Sequence, residues 1–181
     1  MNTAIIVAAG SGTRFDSSTP KQFLDLAGKP VILHTLQVFQ AASVIDEIVV
    51  VIGNDHISKL DNILAESPIS KLKAVVAGGD SRSASVKNGF DAVNPESVIV
   101  CVHDGVRPLV TVDEIERTVH CAEEYGAACL TAPVVDTIKS GIVQPLAISS
   151  AGVVTEIMLA ALLSAAIWIN AATWLNAPVS T

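Results

Sequence analysis

Short apolar runs rich in β-branched residues alternate along this chain with stretches whose apolar residues recur every three or four positions. The first run, Ala4 to Ala8 around Ile5, Ile6 and Val7, has no polar alternation. That is the pattern of a strand covered on both faces. Glu47 to Ile52, Lys73 to Ala77, Ser97 to Val102 and Ala127 to Val135 repeat it. Between these strands, Pro30 opens an amphipathic helix to about Ala42, with Val31, Ile32, Leu36 and Phe39 on its apolar face. Asn54 or Asp55 is placed to cap a helix carrying Ile57, Leu60, Ile63 and Leu64, and Ser81 or Ser83 one carrying Val86, Phe90 and Val93. A fourth helix is expected from Thr111 or Val112 to Glu124, and Leu24 to Lys29 reads as a connector. Strictly alternating strand and helix predicts an α/β fold: a Rossmann-like open, mostly parallel sheet with helices on both faces.

This layout puts the polar turns at one edge of the sheet. The loop after the first strand, Gly79-Asp80, His103-Asp104 and Asp136-Thr137 all follow strand C-termini, where ligands bind in open α/β sheets. The first loop, Ala8-Ala9-Gly10-Ser11-Gly12-Thr13, has little side chain, so its backbone N–H groups can cradle an anion. Arg14 follows at once and Lys21 comes after Ser17, Ser18, Thr19 and Pro20, a pair of cations suited to a triphosphate. The string is not a P-loop, because no Gly-Lys-Ser/Thr follows at the required spacing. Nor is it a dinucleotide fingerprint, because Phe15 stands where the third glycine is needed.

Composition narrows the partners. With 181 residues the chain is long enough for one domain with a substantial core. A formal net charge of −7 argues against a general nucleic-acid binder but leaves room for a nucleotide, which needs only a local cluster of cations. Gly10 to Lys21 interrupts any leader-like apolar start, so neither secretion nor a membrane is expected. Cys101, Cys121 and Cys129 make an odd number in apolar segments, which suits small buried hydrophobes in a reduced, cytoplasmic setting.

Two further stretches bear chemistry. In Gly78-Gly79-Asp80-Ser81-Arg82-Ser83-Ala84-Ser85 the paired glycines let the backbone pass close to a flat base, and Ser85 can offer a hydroxyl; the plainer alternative is a serine-capped helix start with Arg82 on the surface. In His103-Asp104-Gly105-Val106-Arg107-Pro108, an Asp leaving a strand is a hard-oxygen ligand for Mg²⁺ between phosphate oxygens, and Arg107 can grip a second phosphate bidentately. Strand alternation turns His103 the other way, which favours a structural role, and no Cys/His spacing supports zinc.

In order, AAGSGTRF with PKQF, GGDSRSASV, HDGVRP and PVVDTIK resemble the motifs of the 2-C-methyl-D-erythritol 4-phosphate cytidylyltransferases, from about Asn2 to Lys139. The resemblance implies an enzyme that joins CTP to a polyol phosphate with Mg²⁺ and releases pyrophosphate. It implies that Ala8, Ala9, Gly10, Ser11, Gly12, Gly79, Asp80 and Ser85 hold CTP. Arg14 and Lys21 would act catalytically on its phosphates, Asp104 would ligate the metal, and Arg107 and Thr137 would contact methylerythritol phosphate. A homodimer is implied as well. Other outcomes are an impaired or nonenzymatic nucleotide-binding module, or a relative acting on another polyol phosphate such as ribitol phosphate. Sugar-nucleotide or molybdopterin-type transferases share the first loop but not HDGVRP.

Residues 1–139 are thus expected to form the nucleotidyltransferase domain and 140–181 an atypical apolar segment. All 11 Lys and Arg lie at or before Lys139, and Glu156 is the only later acid. The family's later basic residues have no counterpart there. This predicts CTP binding that survives better than cytidylyl transfer. The apolar run from Ile157 to Ile169 is short for a membrane span.

Overall fold

A computed structural model describes residues 1–10 and 19–131. Met1–Leu130 form one compact unit. Its frame is a parallel sheet of β1 (Asn2–Ala8), β4 (Glu47–Ile52), β5 (Leu72–Ala77) and β6 (Ile99–Asp104), in the order β5-β4-β1-β6. A separate two-stranded ribbon pairs β2 (Asp25–Leu26) with β3 (Lys29–Pro30) antiparallel. The helices are α1 (Val31–Ala41), α2 (Ile57–Glu66), α3 (Arg82–Asp91) and α4 (Val112–Tyr125).

The expected α/β architecture is present. β1 lies between β4 and β6, and from Thr3 to Ala8 each of its residues is buried. Its side chains divide between the two faces as strand alternation requires. Ala4, Ile6 and Ala8 join Ile32, Leu36 and Phe39 of α1, Leu60 of α2, and Ile115 and Val119 of α4 in the larger core. Ile5 and Val7 point the other way, with Val51, onto Val86 of α3. Helices therefore cover both faces.

Local chemistry sets the element ends. Ser81 caps α3, accepting the Ala84 N–H at 3.0 Å. Thr111 and Glu114 form a reciprocal capping box at α4, and Gly126 ends that helix at φ 86°, a left-handed conformation that favours glycine. The connector at Leu24 to Lys29 is the β2–β3 ribbon, which turns through Ala27 at φ 52° and Gly28 at φ 82°.

Five expectations are corrected. Cys121 and Cys129, expected to be buried, are exposed. Neither Asn54 nor Asp55 caps α2; they lie in a 3-10 turn, Asn54–His56, which leads straight into the helix at Ile57. β6 runs two residues later than expected and is only half-buried, because pairing with β1 sets its register, Val7 lying opposite Asp104. Phe90 is exposed, because α3 meets the sheet through Ser85, Val86 and Gly89. A Cβ on Gly89 would stand 2.6 Å from Ile5 Cγ2 and 2.7 Å from Val51 Cγ2, so only glycine allows this approach. Finally, residues 127–131 carry no strand, and the rest of the fifth strand expected from Ala127 to Val135 lies outside the described residues. Among the described residues no helix is long and apolar enough to cross a membrane.

Candidate active site

The level C-terminal ends of the parallel strands build the site. Ala8 lies opposite Ile52, Ile52 opposite Ala77, and Val7 opposite Asp104, so four strands end at one edge, and the ends of β1, β5 and β6 with the turns after them line the site. A cleft of about 620 Å³ opens there. Its walls include Ala8, Ala9, Gly10, Lys21, Gly79, Asp80, Ser85 and Asp104, all of them residues expected from sequence. Ser11, Gly12, Arg14 and Thr137 lie outside the described residues.

Small residues in this cleft make close backbone packing possible. A Cβ on Gly78 would overlap that of Ala9, and one on Gly79 would stand 2.6 Å from Ala84 Cβ. Ser85 is buried, and its Oγ accepts the Gly79 N–H at 3.1 Å. Its hydroxyl thus holds the glycine turn against the start of α3, and the two glycines let that turn close on the first loop. A Cβ on Gly105 would likewise crowd Ala8 Cβ at 2.9 Å, while the Gly105 N–H donates to the Val7 carbonyl at 2.8 Å.

Lys21 reaches the cleft from a 3-10 turn, Lys21–Phe23, which closes through the Phe23 N–H and the Pro20 carbonyl at 2.9 Å. Phe23 anchors that turn. It is buried in the larger core, edge-on to His56 at 5.5 Å, with Lys59 Nζ 4.6 Å above its ring. Gln22 between them is buried on the cleft wall, and its Nε2 has no hydrogen-bond partner among the described residues.

Asp104 carries most of the site's electrostatics. Arg82 Nη2 and Nε approach its Oδ1 at 2.9 and 3.3 Å, and Arg107 Nε stands 3.0 Å from Oδ2. Each carboxylate oxygen therefore faces its own guanidinium. Arg82, read from sequence as an alternative surface residue, lines the cleft, whereas Arg107 reaches the site through Asp104. Nothing local in GGDSRSASV marks the pairing, because its partner is 22 positions away on another strand.

His103 faces away from Asp104, as alternation requires. Its ring lies 5.0 Å from that of Phe39 in α1, and Nδ1 is buried without a partner among the described residues. Burial pushes this imidazole below its ordinary value, with Arg107 adding to the effect and Asp104 opposing it.

Among the described residues no three His, Cys, Asp or Glu side chains gather as an all-protein metal cage. The cleft instead offers the carboxylates of Asp80 and Asp104. One or two carboxylates, with the remaining positions left to phosphate and water, is the donor set that Mg²⁺ takes at nucleotide sites. The residues present fit a divalent cation of that kind.

Comparison with known proteins shows the family. The family model for 2-C-methyl-D-erythritol 4-phosphate cytidylyltransferase matches residues 2–152, farther than the motifs alone reach. The enzyme of that name from Clostridium botulinum strain Langeland is 45% identical over 138 residues, 76% of this chain and 60% of the relative. This chain thus spans about 60% of the length of that curated relative. The crystal structure of 4-diphosphocytidyl-2C-methyl-D-erythritol synthase from Anaerococcus prevotii superposes with a TM-score of 0.59 at 31% identity, over 68% of this chain and 51% of that one. A manganese complex of Rv0371c from Mycobacterium tuberculosis shares the fold at a TM-score of 0.54 and 21% identity, over 68% of this chain and 60% of that one. With its strands, its glycine turns and its Asp104 edge in place, the chain belongs to the 2-C-methyl-D-erythritol 4-phosphate cytidylyltransferase family.

Proposed function

We propose that this chain binds CTP in the cleft at the C-terminal edge of its sheet and transfers the cytidylyl group to 2-C-methyl-D-erythritol 4-phosphate. The observation that carries the reading is convergence. Ala8 to Gly10, Lys21, Gly79 with Asp80, Ser85 and Asp104 come from separate stretches of sequence and line one cleft.

In this reading Ala8, Ala9, Gly10, Ser11 and Gly12 lie along the nucleotide, and Gly79, Asp80 and Ser85 hold its pyrimidine end. A phosphate oxygen of methylerythritol phosphate attacks the α-phosphorus of CTP, and the bond from that phosphorus to the bridging oxygen of the β-phosphate breaks. Pyrophosphate leaves with the bonding electron pair. Such a transfer asks the protein mainly for alignment and for cations where charge develops. Lys21 supplies one from its anchored turn, and Arg14 is assigned the same task. Arg107 and Thr137 hold the second substrate. Asp104 would hold Mg²⁺, which screens the triphosphate and the departing pyrophosphate. Residues 1–139 act as the nucleotidyltransferase domain, and the protein works as a cytoplasmic homodimer, in keeping with the family resemblance.

The nucleotide assignment is tested by thermal unfolding of the full chain with Mg²⁺ and each nucleoside triphosphate. A ligand at about 100 times its Kd adds about 2.7 kcal/mol to native stability. CTP should raise the melting temperature more than ATP, GTP or UTP at equal concentration. Equal shifts from all four would refute the cytosine preference. Pyrophosphate release with CTP should then require methylerythritol phosphate, and equal release with ribitol phosphate would reassign the second substrate.

A further inference from the structure

The residue that the proposed reaction leaves without a task is Arg82. It begins α3 directly after the capping Ser81, lines the cleft, and places Nη2 and Nε on Asp104 Oδ1 at 2.9 and 3.3 Å. Arg107 Nε takes Oδ2 at 3.0 Å. The carboxylate assigned to the metal therefore has a cation on each oxygen in this structure. A divalent cation on Oδ1 would share that oxygen with the Arg82 guanidinium, and the repulsion between the two cations favours the guanidinium's departure. Arg82 is also the more exposed partner: its side chain is 65% exposed, against 24% for Asp104. A released guanidinium keeps its charge, because it does not deprotonate at any working pH. In a cleft that accepts a triphosphate, its nearest new partner is a phosphate oxygen, which the planar fork meets bidentately.

Resting on the reading of this cleft as a metal–nucleotide site, we propose that Arg82 is an exchangeable cation. It occupies Asp104 Oδ1 in the empty protein and moves to a phosphate of the nucleotide when a divalent ion is loaded with it. Two consequences of opposite sign follow. Arg82 competes with a metal offered alone, and it strengthens binding of metal and nucleotide together. A surface arginine would do neither, and a purely structural ion pair would not produce the opposition.

The test is titration calorimetry on the full chain, comparing wild type with Arg82→Gln, Arg82→Lys and the charge control Arg117→Ala. Arg117 pairs with Asp113 on the surface of α4 and lies off the cleft wall. With Mn²⁺ alone, Arg82→Gln should bind about two- to fivefold tighter, the scale expected when an exposed competing ion pair is removed. With CTP added at saturating Mn²⁺, the same variant should bind on the order of tenfold weaker, because a charge-assisted contact to phosphate is lost. Arg82→Lys should fall between, since an ammonium keeps the charge but not the fork, and Arg117→Ala should match wild type in both titrations. Unchanged or weaker Mn²⁺ binding by Arg82→Gln would overturn the competition. Tighter Mn²⁺ binding with unchanged CTP affinity would overturn the transfer to phosphate. Failure of the wild type itself to bind CTP with Mn²⁺ would instead overturn the reading of the cleft, which keeps the two conclusions separable.

Discussion

Thr35 in α1 donates its hydroxyl to the carbonyl of Gly105 across 3.0 Å, out of contact with water. Gly105 immediately follows Asp104, so one buried bond ties the turn bearing the proposed metal ligand to a core helix. Thr35→Val keeps the shape but strands the carbonyl. The expected loss is about 1–3 kcal/mol of stability, the cost of a buried unsatisfied group. Chemical denaturation should show it, and Thr35→Ser should recover most of it. If Thr35→Val is as stable as wild type, the turn is held by other contacts.

Lys21→Ala should reduce turnover on the order of 10²-fold while changing CTP affinity much less, since a cation at the developing charge acts mainly in the transition state. Pyrophosphate release and CTP titration, run on one preparation, separate the two effects. A comparable loss in both would make Lys21 a simple binding group.

Ser85→Ala should cost roughly 1 kcal/mol of stability, the worth of the bond that holds the Gly79 N–H. It should also weaken CTP, because the turn carrying Asp80 loses its tether. Normal CTP affinity in Ser85→Ala would remove the serine from the nucleotide site.

His103 gives a pH dependence of predictable sign. Burial lowers its folded-state value below the ordinary 6.5, which the unfolded chain retains. As pH falls through that value the unfolded chain takes up the proton first. The contribution is therefore complete above it and is lost on further acidification. His103→Phe, filling the same space against Phe39, should flatten the melting temperature between about pH 7.5 and 5.5 relative to wild type. Parallel pH profiles for the two proteins would assign the acid sensitivity to other groups.

The legible parts of this fold were those governed by neighbours in sequence. The unbroken apolar run Ala4 to Ala8 needs two covered faces, and it has them. Asp80 and Asp104 could be placed at the sheet edge because each ends or follows a short apolar run rich in β-branched residues. Partnerships across the sheet were not legible. The end of β6 depends on which β1 residue it meets, and so shifted by two residues. Phe90 matched a helical stripe, yet the face that docks carries Val86 with Ser85 and Gly89, where small volume sets how closely the helix approaches. Arg82 lacked any local mark, because its meaning lies in a carboxylate at the far end of the next element.

The contact of Gly89 with Ile5 and Val51 acts at a distance. Arg82 lies seven residues back along the same helix, about 10 Å at 1.5 Å per residue. The helix works as a rigid beam seated on the sheet at Ser85 and Gly89, with Arg82 at its first position. A methyl group on Gly89 would lie inside contact distance of two side chains that are themselves fully packed, so the beam would have to lift or tip. Tipping about so short an arm carries a displacement at the seat to the guanidinium almost undiminished. A 2.9 Å pairing with Asp104 tolerates little of it. The clearance between one glycine and the sheet thus calibrates the reach of a cation, at a point that touches no ligand.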